Sequence, residues 1–167
     1  ASDTKNAADA FVDAVLTEAN TLSGNVRVGV VRYGTDAYAY QYNNSSWSKW
    51  SSSQSLTSSN VFTSDNTKAK AAISSALTKF SSESNGGTNT EGGFLEAQKL
   101  AALKRSDADC IVIFMTDGLP TYRYEDMWNT PNAQSTNDTS GSKTSKQELN
   151  EAIEAAQTLA GMSGVEV

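Results

Sequence analysis

Between Thr4 and Asn20 apolar side chains recur every three or four positions, at Ala8, Phe11, Val12, Val15, Leu16 and Ala19. That spacing predicts an amphipathic helix, ended by Leu22-Ser23-Gly24. The period then shortens. Val26 to Tyr33 is a nearly continuous β-branched run bounded by Gly24 and Gly34, and Tyr38 to Tyr42 follows across Gly34-Thr35-Asp36. The pair predicts two strands of a hairpin. A Ser-rich stretch carrying Trp47 and Trp50 interrupts the pattern as an irregular excursion with at most a little strand. Ser64 or Asp65 caps a second helix running to about Phe80, with Ile73, Ala76, Leu77 and Phe80 inward. Gly86-Gly87-Thr88-Asn89-Thr90 breaks the chain before a third helix from about Glu91 to Lys104, which packs Phe94, Leu95 and Leu100.

The run Asp109 to Met115 is apolar on both faces of an extended chain, so it predicts a buried central strand. A long polar loop from Leu119 to Lys143 holds Tyr122, Tyr124 and Trp128. Ser145-Lys-Gln-Glu148 has the form of a capping box opening a fourth helix, with Leu149, Ile153, Ala156 and Leu159 on its buried face. Gly164 to Val167 begins a further strand. Helices alternating with strands predict an α/β chain: a doubly wound, mostly parallel sheet with helices on both faces.

Composition narrows the function classes. The 167 residues fit one domain with a sizeable core. The net charge is −6, and the 13 Lys and Arg are scattered without a basic stripe, which argues against a nucleic-acid partner. No apolar run approaches the ~18 residues of a membrane span. No basic and apolar leader pattern opens the chain at Ala1-Ser2-Asp3, so no signal peptide is expected within it. One cysteine, Cys110, lies in an apolar run and reads as a small buried hydrophobe. There are no histidines, which removes the usual general base and the commonest zinc ligand. A metal here would be a hard cation held by oxygens.

In doubly wound sheets, ligands bind beyond the carboxyl ends of the strands. Asp117 directly follows the most apolar strand, in Phe114-Met-Thr-Asp-Gly118, and Thr88 stands just ahead of a helix amino terminus. A hydroxyl and a carboxylate meeting there are oxygen donors suited to Mg²⁺. Each also has a plainer reading: Thr88 as a helix cap or turn residue, Asp117 as an Asx-turn before Gly118. Tyr122, Tyr124 and Trp128 offer a recognition surface if exposed, or pack back on their own loop.

The succession Arg27-Val-Gly-Val-Val-Arg-Tyr33, Gly86-Gly-Thr-Asn-Thr90 and Ile111-Val-Ile-Phe-Met-Thr-Asp-Gly118 resembles the von Willebrand factor A family, and in particular its bacterial surface and pilus-tip adhesins. The resemblance spans residues 1–167 apart from two insert-like stretches, about 43–62 and 119–143. It implies a Rossmann-like fold with a metal-ion-dependent adhesion site. There Thr88 fills the threonine position and Asp117 the last aspartate position, around Mg²⁺, or Mn²⁺ or Ca²⁺. A partner protein would supply a carboxylate to the cation.

The family's Asp-x-Ser-x-Ser loop, and the strand before it, do not occur between Ala1 and Val167, and the strand and helices that close the family's fold are missing from the other end. The resemblance therefore implies an incomplete sheet that the remainder of the polypeptide completes. The expected function is cell-surface adhesion, not enzymatic, at a bacterial surface or pilus, toward a host or extracellular-matrix protein. A structural A-like domain with no working metal site is the alternative. A metal-dependent hydrolase or phosphoryl-transfer enzyme using Asp117 ranks lower, because no carboxylate pair and no Gly-x-x-x-x-Gly-Lys-Ser/Thr loop accompanies it.

Overall fold

A computed structural model describes residues 2–78, 87–116, 118–124, 144 and 146–167. The chain divides into two compact units: residues 1–32 with 39–82, and residues 33–38 with 83–167.

In the first unit, α1 (Ser2–Val15) and α2 (Glu18–Ser23) divide the stretch expected as one helix. The break comes at Thr17, whose side chain accepts the Asn20 N–H as an amino-terminal cap. Next along the chain, and not confined to this unit, come three strands, β1 (Val31–Tyr33), β2 (Ala37–Asn43) and β3 (Ser46–Lys49), hydrogen-bonded in that order as an antiparallel sheet. The β2–β3 connection is a two-residue turn with φ of 47° at Asn44 and 65° at Ser45. Paired positive φ matches the right-handed twist of the flanking strands. The excursion around Trp47 thus contains a strand, and its later part holds the one-turn α3 (Ser58–Val61).

Asp65 caps α4 (Asn66–Thr78): Lys68 N–H donates to Asp65 Oδ1 at 2.9 Å. α1 and α4 bury Val12, Leu16, Ala69 and Ile73 together, with Phe11, Val26, Val28 and Val30 against them. Phe80, expected in this core, lies outside the described residues.

The second unit is built on α5 (Thr90–Ala101) and α6 (Lys146–Ala160), which pack on each other, with β4 (Cys110–Ile111) and β5 (Val165–Glu166) as a parallel pair. Phe94, Ala101, Ala155, Leu159 and Val165 form its core, lined by Cys110, Val112 and Phe114. Rings continue this packing: Phe114 stacks between Phe94, at 4.8 Å, and Tyr33, at 5.2 Å.

The doubly wound, mostly parallel sheet is not what forms. Among the described residues there is a small antiparallel sheet of three strands, a parallel pair and six helices. The reason is local. The turn at Gly34-Thr35-Asp36 folds the first apolar run back on itself as antiparallel structure, closed by Gly34 N–H to Asp36 C=O at 2.9 Å. The run Asp109–Met115 pairs with β5 over two residues instead of lying between strands. Its even-numbered side chains face the core, while Ile111 is 71 % and Ile113 49 % exposed. The expectation of a strand buried on both faces fails with it.

The face of α6 is also turned from the expected one. Glu148, Ala152, Ala155 and Leu159 are buried, and Leu149 and Ile153 are exposed. Ser145 of the expected capping box lies outside the described residues. Cys110 is a free, half-buried thiol, and burial raises its pKa.

Candidate functional site

The amino terminus of α5 is the best-organised polar region of the second unit. Asn89 caps the helix, its Oδ1 accepting the Gly92 N–H at 2.8 Å. The same residue is fully buried and ties the helix start to the 34–35 turn: its N–H donates to Gly34 C=O at 2.6 Å and its Nδ2 to Thr35 C=O at 3.4 Å.

Thr88 is stitched to the segment 121–124 by backbone. Its N–H donates to Thr121 Oγ1 at 2.8 Å, and its C=O accepts the N–H groups of Thr121 at 2.9 Å and Tyr122 at 3.1 Å. These bonds occupy the Thr88 main chain and leave its hydroxyl: among the described residues no hydrogen bond reaches Thr88 Oγ1. A Cβ built on Gly118 would lie 3.7 Å from that oxygen, so the end of the Asp109–Met115 run comes to Thr88. Thr116 closes a small turn there, its Oγ1 accepting Gly118 N–H at 3.2 Å and donating to Gly118 C=O at 2.9 Å. Two residues on, Thr90 Oγ1 is buried with no hydrogen-bond partner among the described residues.

Tyr122 and Tyr124 do not form an exposed recognition surface. They are 8 % and 6 % exposed and pack onto the start of α5. A Cβ on Gly87 would overlap the Tyr122 ring, and one on Gly92 would stand 2.8 Å from the Tyr124 ring, so both positions favour glycine. The Tyr124 hydroxyl accepts the Ala37 N–H at 3.2 Å, and burial drives its pKa up. Asp117 and Trp128 lie outside the described residues.

Three charged groups, Glu91, Arg123 and Glu148, are buried along with these tyrosines, and of them only Glu148 was singled out from the sequence, as a helix cap. Glu91 has no solvent exposure. Its Oε2 accepts the Tyr124 N–H at 2.8 Å, and its Oε1 has no partner among the described residues. Burial is the main cause that pushes its pKa up to about 7, opposed by the Tyr124 N–H and by Arg123 and reinforced by Glu151 and Glu154. Arg123 Nε stands 3.7 Å from Glu148 Oε1, with both side chains buried. A glutamate in the first turn of a helix ordinarily reads as a solvated partner of the helix dipole. Only the alternation Tyr122-Arg123-Tyr124 hints that the polar member of that segment faces a buried acid.

Among the described residues no three Asp, Glu, Cys or His side chains cluster to hold a metal, and no helix is long and apolar enough to cross a membrane. No family model matches the chain, and neither a curated protein nor a solved structure is significantly similar to it. The resemblance to the von Willebrand factor A family therefore rests on the sequence motifs alone.

Proposed function

We propose that this chain is an adhesion module that captures a carboxylate of a partner protein through a divalent cation, with Thr88 and Asp117 among the cation's ligands. The observation that carries the reading is the approach of Gly118 to the unbonded Thr88 hydroxyl. Asp117 immediately precedes that glycine in sequence. The donor chemistry fits a hard cation: neutral hydroxyl oxygens, a carboxylate, and no histidine in the chain. A bound Mg²⁺ would supply an exchangeable position for the partner's carboxylate. The task of the chain's own residues is to hold the oxygens, and the main-chain bonds of Thr88 and the cap by Asn89 do this without using the Thr88 hydroxyl.

The run that ends beside Thr88 also carries the apolar row Ile111, Ile113 and Met115. These side chains are 71, 49 and 40 % exposed, a continuous apolar edge of the kind that marks an interaction surface. The setting is a bacterial surface or pilus and the partner an extracellular-matrix or other host protein. Binding of the full polypeptide to immobilised matrix proteins tests this. Retention should require Mg²⁺ and fail with chelator or with Asp117→Ala, whereas retention indifferent to both contradicts the proposal.

A further inference from the structure

The first unit carries a second candidate site, independent of Thr88. The β2–β3 hairpin and α4 flank an open cavity of about 300 Å³ lined by Tyr42, Ser45, Ser46, Trp47, Thr67, Lys68, Ala71 and Ser75. That is at the lower end of the ~300–1,000 Å³ typical of small-molecule sites.

Its lining combines three chemistries. Tyr42 and Trp47 present two rings tilted by 59° with centroids 5.5 Å apart. Lys68 Nζ lies 5.0 Å from the Tyr42 ring centroid and makes no ion pair among the described residues. Hydroxyls come from Ser45, Ser46, Thr67 and Ser75.

Trp47 is 8 % exposed, yet its Nε1 has no hydrogen-bond acceptor among the described residues. The strand pairing that fixes Trp47 opposite Tyr42 makes both rings part of the scaffold and not of a loop tip.

Charge selects the kind of occupant. The chain is strongly acidic, at −6. Residues 1–32 and 39–82 nevertheless hold seven Lys and Arg against five Asp and Glu, so this unit is net positive. An anion is favoured here, and neutral hydroxyls with aromatic faces favour a hydroxylated ring whose C–H groups lie on aromatic carbon.

We propose that the cavity between the β2–β3 hairpin and α4 binds a single acidic sugar, a pyranose carboxylate of the hexuronate class, with Lys68 pairing its carboxylate and Tyr42 and Trp47 contacting its ring. D-glucuronate titrated into the full chain tests this, read by the indole N–H resonance of Trp47, which Trp47→Phe assigns. The resonance should shift saturably. Lys68→Gln should weaken binding about tenfold, the loss of one charge-assisted hydrogen bond. D-glucose should bind about as weakly to wild type as glucuronate does to Lys68→Gln. Ser75→Leu, a helix-compatible change that fills the cavity, should abolish the shift while circular dichroism stays that of wild type. Absence of saturable shift with glucuronate, or equal affinity of wild type and Lys68→Gln, overturns the proposal. So does shifting of a different tryptophan alone.

Discussion

The Tyr124 N–H donates to Glu91 Oε2 at 2.8 Å, so a fully buried carboxyl group in the first turn of α5 holds the segment that also carries Tyr122 against Gly87. Glu91 therefore couples its protonation to the packing beside Thr88. Its pKa is raised from 4.5 to about 7. The sign follows from proton linkage. Below pH 4.5 the carboxyl is protonated in folded and unfolded chains alike. As pH rises from about 4.5 to about 7, the unfolded chain loses its proton while the folded carboxyl keeps it, and stability falls by roughly 3 kcal/mol, with no further loss above that range. Glu91→Gln should flatten this loss and make the protein more stable than wild type at pH 8. Denaturant unfolding at several pH values checks it, and an unchanged slope between pH 5 and 8 contradicts it.

The Arg123–Glu148 pair, 3.7 Å apart and buried at both ends, gives a second expectation. Removing one partner takes away the other buried charge's ion pair, and breaking a buried pair typically costs ~3–5 kcal/mol. Arg123→Met and Glu148→Gln should each destabilise strongly, and the double variant should cost much less than the two singly added. A double-mutant cycle by chemical denaturation measures this, and additive losses would mean that the pair does not interact.

Close packing at Gly87 and Gly92 predicts a steric effect. Alanine at either position places a carbon within 3 Å of a tyrosine ring. Overpacking of this kind costs roughly 1–3 kcal/mol. Gly87→Ala with Tyr122→Leu should recover part of the loss, whereas Gly87→Ala alone should not. Thermal melts of the four proteins read this directly.

How far the sequence disclosed the fold depends on the range of the signal. Local signals were legible. Helical periodicity located α4, α5 and α6 within a few residues, Asp65 caps α4 as its side chain predicts, and the Gly34–Asp36 turn folds the first two strands together. Non-local pairing was not. Apolar residues on both faces of Asp109–Met115 predict two-sided burial, but burial requires neighbours, and β5 supplies two residues of pairing. Ile111 and Ile113 are left exposed. The same limit explains α6, where Glu148 is buried by Arg123 from a distant segment while Leu149 faces solvent. At the site, the glycines and Thr88 were visible as a break before a helix. The buried Glu91 was not, because its partner lies 33 residues away. Tyr122 and Tyr124 were weighed as a surface or as packing residues, and the glycines opposite them explain why they pack.

The exposed side chains of Ile111, Ile113 and Met115 contribute little to this chain's own stability. Ile113→Thr should change unfolding by less than about 0.5 kcal/mol, whereas Leu159→Ala in the core should cost ~2–5 kcal/mol. Comparable losses in the two variants would place Ile113 in the chain's own core.

The central claim is that Thr88 and Asp117 hold a cation. Calorimetric titration of Mg²⁺ or Mn²⁺ into the full polypeptide, its Thr88→Val variant and its Asp117→Ala variant measures it most directly. Wild type should bind one ion, Thr88→Val should weaken binding about tenfold or more, and Asp117→Ala should weaken it further, with circular dichroism unchanged in each. Equal cation affinity in all three proteins, or no cation binding by wild type at millimolar Mg²⁺, would contradict the account.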